Sequence, residues 1–370
     1  MIPMALSTTR ICFSFFGSFI LVFFLSCGGG EKKEAGPGDL LSQRAAFEIS
    51  AFPNDLQLGD TIAFSAILND SSMTFDSLLL LLNNSKVASL TRENLKFDAS
   101  SSGLGTGQHQ FRLAGFRAGK EIASAAAAFV LHSDRLPESL RFISEKSLPH
   151  NPASFTQGLE WYNGKLYEGT GLNGKSALME LNPLNGETLR KTPLPQEHFG
   201  EGITILNNRV YQLTWQSHRA FVYSLPDLKP EASFGYPTEG WGLSHLGKEL
   251  VMSDGSEKLY FLNPENFNLV RTIQVWDQKN AVTELNELEV VDGAIYANKY
   301  QTDTIVKIDP ESGKVLGYAN LAGLLKNEDR LGNEDVLNGI AWHPAEKRFY
   351  LTGKNWPKMF VGRLLKNQAL

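Results

Sequence analysis

Cysteine is nearly absent: the 370-residue chain has only Cys12 and Cys27. Cys12 sits inside an N-terminal apolar run. Once that run is removed, no disulfide can form, and neither a cysteine nucleophile nor a cysteine-built metal site is available. Histidine is sparse as well. His150, His198, His218, His245 and His343 never fall at the HxH or HxxxH spacings that place two imidazoles on one metal, so no metal and no other cofactor is expected. There is no Gly-rich phosphate loop and no nucleophile elbow. There is also no basic cluster, and the formal net charge is −5, which argues against nucleic acid as a partner. Charged residues make up 20% and hydrophobic residues 42%, ordinary for a soluble globular protein. The length implies two domains or one large repetitive one.

The first segment reads as an address. Arg10 precedes an unbroken run of apolar and small residues over 11–26, the length of a signal-peptide core and short for a membrane span. The run ends at Leu25-Ser26-Cys27, followed by three glycines and a charged stretch, which resembles a bacterial lipobox. The expectation is a lipoprotein signal peptide over 1–26, a lipidated Cys27 and a flexible tether over 27–44. Acyl chains on Cys27 would hold a monomeric soluble body at a membrane, facing the periplasm or the cell surface. The competing reading is a plain membrane anchor.

Residues 45–133 carry short β-type segments, at 61–68, 77–82, 108–116 and 122–131 among others, separated by Asn-, Ser- and Gly-rich turns. This pattern predicts a small immunoglobulin-like β-sandwich. It holds no cluster of His, Asp or Glu, so a spacer or docking role is expected of it. Leu136-Pro137-Glu138 marks the boundary.

Over 138–366 the chain repeats itself. Segments beginning at Gln157, Glu201, Trp241, Asn286 and Asn338 each read as a strand, a tight Asn/Gly-type turn and a second strand, and most continue into a third. This period is that of a propeller blade, so the fold class is all-β, a five-bladed β-propeller preceded by the sandwich. The fifth repeat lacks a fourth strand, which residues 140–147 would supply, closing the ring without an open edge.

In such a ring, the start of each innermost strand and the end of the second strand crowd one mouth of the central channel. The openers Gln157, Glu201, Trp241, Asn286 and Asn338 and the second-strand ends Thr170, Trp215, Asp254, Tyr300 and Lys354 thus define a candidate pocket with a carboxylate, an ammonium, amides and an aromatic wall. Taken singly these residues say little, since a lone Glu or Lys is usually just solvated. Trp161, Trp276 and Trp342 fall within strands and read as packing.

Taken together, the repeats resemble the plant and bacterial type of glutaminyl-peptide cyclotransferase. The strings carrying the likeness are Ser154-Phe155-Thr156-Gln157-Gly158, His198-Phe199-Gly200-Glu201-Gly202, Leu213-Thr214-Trp215-Gln216, Glu239-Gly240-Trp241-Gly242, Leu285-Asn286-Glu287, Tyr300-Gln301-Thr302-Asp303, and Leu337-Asn338-Gly339 with Thr352-Gly353-Lys354. The resemblance implies conversion of N-terminal glutamine of peptides or proteins to pyroglutamate with release of ammonia. It implies Glu201 as general acid/base, with Phe155, Gln157, Phe199, Trp215, Trp241, Asn286 and Lys354 around the substrate; Asn338 is expected beside them. Tyr300 departs from the family pattern, in which Trp is common there, but keeps an aromatic wall. Lys354 and Asn286 would donate hydrogen bonds to the oxygen that gains charge. The alternative is a non-catalytic cell-surface propeller that binds peptides or glycans.

Overall fold

The computed structural model describes residues 46–49 and 56–367. The expected signal peptide over 1–26, Cys27 and the tether over 27–44 lie outside the described residues. Within them the chain is all-β, with two short 3-10 turns and no helix long and apolar enough to cross a membrane.

The N-terminal part is built from two sheets. One joins Phe47–Ile49, Thr61–Leu68 and Lys96–Ser100. The other runs in the order Leu56–Gln57, Lys120–His132, Gly107–Arg117, Ser77–Leu82, Ser85–Leu90. The strands expected at 61–68 and 77–82 have those bounds. Those expected at 108–116 and 122–131 run further, because their hairpin keeps pairing until Arg117 meets Lys120 across Ala118-Gly119. Both turn residues have positive φ, as a tight hairpin turn requires. Alternation sets the faces: Ile62 and Phe64, Leu78 and Leu80, and Phe111 and Leu113 all point into one core.

From Glu138 onward the chain is propeller-like. Three sheets are simple four-strand meanders, whose first strands are Thr156–Tyr162, Gly200–Leu206 and Leu243–Leu246. The fourth sheet has eight strands and consists of two meanders joined edge to edge, their first strands being Leu285–Val291 and Leu337–His343. Glu138–Pro149 lies at the join. It touches Val315–Asn320 in parallel for a short stretch and pairs antiparallel with Lys358–Lys366 along its length. The early strand thereby completes the last meander, as expected of residues 140–147. First strands pack on first strands in cyclic order, the last against the first.

That packing is tight enough to dictate residue type. A Cβ on Gly202 would lie 2.4 Å from the backbone nitrogen of Leu243, and one on Gly242 would lie 1.9 Å from the carbonyl oxygen of Asn286. Glycine therefore follows the opening residue in four of the repeats. The third first-strand starts at Leu243 rather than Trp241. Trp241 N–H donates to the Ser253 carbonyl and the Gly242 carbonyl accepts from Ser253 N–H, so these two residues face one across the pair, while the Trp241 carbonyl accepts from Gly202 N–H of the neighbouring first strand.

Candidate active site

Four first strands share an irregularity at the same place. Pairing with the second strand slips between Thr156 and Gly158, Gly200 and Ile203, Leu285 and Leu288, and Leu337 and Ile340. A bulge re-aims the side chain of its extra residue. The bulged residues are Gln157, Glu201, Asn286 and Asn338, the openers singled out in the sequence. In the third sheet Trp241 reaches the same level from the segment preceding its strand.

A cavity of about 160 Å³ opens there, lined by Gln157, Glu201 and Asn286 and by Phe155, Phe199, Trp215, Trp241, Tyr300 and Lys354. The rings stand edge to face: Phe155 on Phe199 at 6.0 Å, Phe199 on Trp215 at 5.7 Å, and Trp241 on Tyr300 at 5.5 Å between centroids. The Lys354 ammonium sits between the two ends of this series, 4.9 Å from the centre of Phe155 and 4.8 Å from that of Tyr300. Such a site has room for one glutamine-sized side chain and offers it a small number of aimed polar groups.

Glu201 is 5% exposed and Lys354 3% exposed. Burial pushes the Glu201 carboxyl well above its ordinary value. The Lys354 charge pulls it back and the Glu239 charge adds to the rise. Burial in turn lowers the Lys354 ammonium, against the pull of Glu201 and Asp335. Asn286 Oδ1 is buried without a partner, an acceptor facing an unmet hydrogen-bonding need.

Three sequence-derived pocket residues are placed elsewhere. Asn338 lies behind Gln157, donating Nδ2 to Gln157 Oε1 at 3.2 Å and to the Thr156 carbonyl at 3.0 Å, so it supports the lining without forming it. Thr170 still pairs with Thr156 and its hydroxyl bonds Ala177. The position equivalent to Trp215 is Gly171, whose missing side chain leaves room for Phe199, 2.3 Å from where a Cβ would stand. Asp254 turns back on its own hairpin, accepting from Ser256 N at 3.0 Å and Tyr260 Oη at 2.8 Å.

Other residues were missed in the sequence. Glu239 receives the indole N–H of Trp215 at 2.7 Å and of Trp241 at 3.0 Å on one oxygen, Oε2, and Gln216 Nε2 on the other at 3.1 Å. Glu287 stands where the other repeats have glycine, and its carboxylate crosses the channel to accept from Leu159 N at 3.1 Å and Ile340 N at 2.8 Å. The signal was that departure from glycine. Deeper still, Glu160 and Glu289 are buried, and burial raises all three carboxyls. Among the described residues, no group of His, Cys, Asp and Glu is arranged to hold a metal ion.

Fold and site together define a class: a propeller-like all-β protein that gathers one buried acid, one buried ammonium and an aromatic wall at the mouth of a single channel. Comparison narrows the class. A family model described as glutamine cyclotransferase matches residues 120–364. The glutaminyl-peptide cyclotransferase of Arabidopsis thaliana is 37% identical over 227 residues, which is 60% of this chain and 70% of that protein. The crystal structure of Myxococcus xanthus glutaminyl cyclase superposes with a TM-score of 0.59 at 34% identity, covering 63% of this chain and 100% of that one. The chain belongs to the glutamine cyclotransferase family.

Proposed function

We propose that the protein is an enzyme that cyclises the N-terminal glutamine of peptides or proteins to pyroglutamate and releases ammonia. The observation that carries this reading is the convergence of Glu201, Lys354 and Asn286 with five aromatic rings in one glutamine-sized cavity. The substrate's α-amine attacks its own side-chain amide carbon, so nucleophile and electrophile are already tethered and the pocket's task is to fold them together. The attacking amine must be neutral, and with an ordinary pKa near 7.7 an appreciable fraction is. As its nitrogen bonds to the carbon, Glu201 takes the proton it sheds and passes it to the amide nitrogen. That nitrogen then leaves as ammonia when its bond to the carbon breaks. Lys354 faces the charge that builds on the carbonyl oxygen. The unpartnered Asn286 Oδ1 receives an N–H of the substrate. No step in this scheme calls for a metal.

The same proposal takes the five cyclic meanders as five propeller blades over 138–366, and the paired sheets over 45–133 as an immunoglobulin-like sandwich. Cys27 carries the lipid that anchors a monomeric protein, facing the periplasm or cell surface. Incubation with a Gln-initiated peptide, followed by mass spectrometry, tests the activity: one ammonia is lost from the Gln peptide and none from an Asn-initiated control. A Gln peptide that binds but keeps its mass would leave a binding protein in place of an enzyme.

A further inference from the structure

The aromatic wall of the pocket is a collar with two breaks. Phe155, Phe199 and Trp215 form one arc, and Trp241 and Tyr300 form the other. Lys354 closes the break between Phe155 and Tyr300 by lying against both ring faces. The other break, between Trp215 and Trp241, is closed by a single atom: Glu239 Oε2, which takes both indole N–H groups, at 2.7 and 3.0 Å. The two closures are opposite in charge and in the part of the ring they use. An ammonium meets two electron-rich faces, and a carboxylate meets two N–H edges.

Trp215 needs such a tether. It is 36% exposed, follows the end of its strand, and is bonded through its backbone only to the Phe199 carbonyl and the Gly240 amide. Its ring is otherwise held by the edge-to-face contact with Phe199. Gln216 Nε2 bonds Glu239 Oε1 and fixes the carboxylate from the outer side.

We propose that Glu239 is a positioning residue that holds Trp215 and Trp241 as one rigid wall against which the glutaminyl side chain lies. This rests on the cyclase reading above. Glu239 reaches the substrate through the two indoles, so its loss falls chiefly on substrate binding; its charge also raises the Glu201 carboxyl, an influence that the Ala and Gln variants remove alike. A glutamine at this position keeps an acceptor oxygen for both N–H groups. Gln216 can turn its own amide to meet the new NH₂, so the network survives with weaker, uncharged bonds.

The test uses the full chain and two variants, Glu239→Ala and Glu239→Gln, with two readouts. The first is the proton–nitrogen spectrum of the indole groups, with Trp215 and Trp241 assigned by replacement with Phe. The second is KM and kcat on a Gln-initiated peptide. Glu239→Ala should move both indole N–H resonances upfield and raise KM roughly tenfold, the size of one lost hydrogen bond to a charged group, with kcat changed less. Glu239→Gln should retain a shared hydrogen-bond shift and bring KM most of the way back. Unmoved resonances in Glu239→Ala, or a Gln variant no better than the Ala variant, would overturn the proposal. Failure of the wild type to cyclise any Gln peptide, with the indole shifts still behaving as stated, would sink the cyclase reading and leave the tether standing.

Discussion

Glu201 and Lys354 set each other's charge. Burial disfavours the charged form of both groups, and each is the largest favourable influence on the other's ionised form. A proton-accepting carboxylate is needed at the start of the reaction, and the Lys354 ammonium opposes the rise that burial imposes on Glu201 as well as facing the developing oxyanion. Two outcomes follow. Glu201→Gln keeps the shape of the pocket but cannot move a proton, so kcat should fall by about 10²- to 10⁴-fold with KM little changed. Lys354→Met should lower kcat by roughly 10²- to 10³-fold. It should also move the acid limb of the pH–kcat/KM profile to higher pH, because removing the positive neighbour lets the Glu201 pKa rise further. Near-wild-type turnover in Glu201→Gln would remove Glu201 from the chemistry. An acid limb that stays put or moves to lower pH in Lys354→Met would show that the two groups do not share charge.

At the level of the strand, the positions of the first strands were legible in the sequence, and what happens at their ends was legible only in part. Gln157, Glu201 and Asn286 stood out because they break the repeat's own pattern, and the bulges show why those positions face the cavity. Thr170 was misplaced by one residue, since a repeat alignment cannot tell the last paired residue from the first unpaired one. The role of Glu239 was invisible, although the residue stands in one of the strings that carry the resemblance, because that role depends on two indoles brought in from different sheets. The buried acids of the channel give these strands a pH signature. Glu160 is pushed up to about 8 by burial, against the hydrogen bond from Thr204. Its unfolded value is near 4.3, so between about 4.3 and about 8 the native state binds more protons and stability falls as pH rises. Glu160→Gln removes Glu160's share of this dependence and leaves that of Glu287 and Glu289. The melting temperature of wild type relative to the variant should decline from acid toward pH 8, and a constant difference would show that Glu160 ionises as freely in the folded state. Ring closure makes a second demand on the strands. His150, at the end of the closing strand, bonds the Trp356 carbonyl at 2.6 Å and Glu168 at 3.1 Å, tying the last meander to the first. A chain beginning at Ser154 loses both the strand and this tie. It should expose a strand edge and aggregate, whereas a chain beginning at Arg135 should stay monodisperse in size-exclusion chromatography.

Across the whole molecule, the N-terminal sheets are fastened to the outer parts of the third and fourth meanders. Thr106 donates to the carbonyls of Gln274 at 2.7 Å and Ser312 at 3.0 Å, and Gln108 and Gln274 exchange two bonds of 3.0 Å. Lys314 pairs with Asp134 at 2.6 Å. Gln274 ends the outermost strand of the third meander, so these bonds grip the rim of the ring while the site faces its channel. A chain from Arg135 should therefore cyclise a Gln peptide at close to the full-length rate. In the sequence, Cys27, the expected lipidation site, precedes these sheets. A lipid at Cys27 would confine the site to a membrane surface without taking part in its chemistry, since the cavity is lined only by residues between Phe155 and Lys354. Cys27→Ser should release an active enzyme into the soluble periplasmic or extracellular fraction and abolish incorporation of labelled fatty acid, with kcat and KM on a soluble Gln peptide unchanged. A variant that remains in the membrane fraction with its leader uncut would show residues 11–26 to be a plain anchor. A released variant with lowered kcat would show that the lipid does more than hold the protein in place.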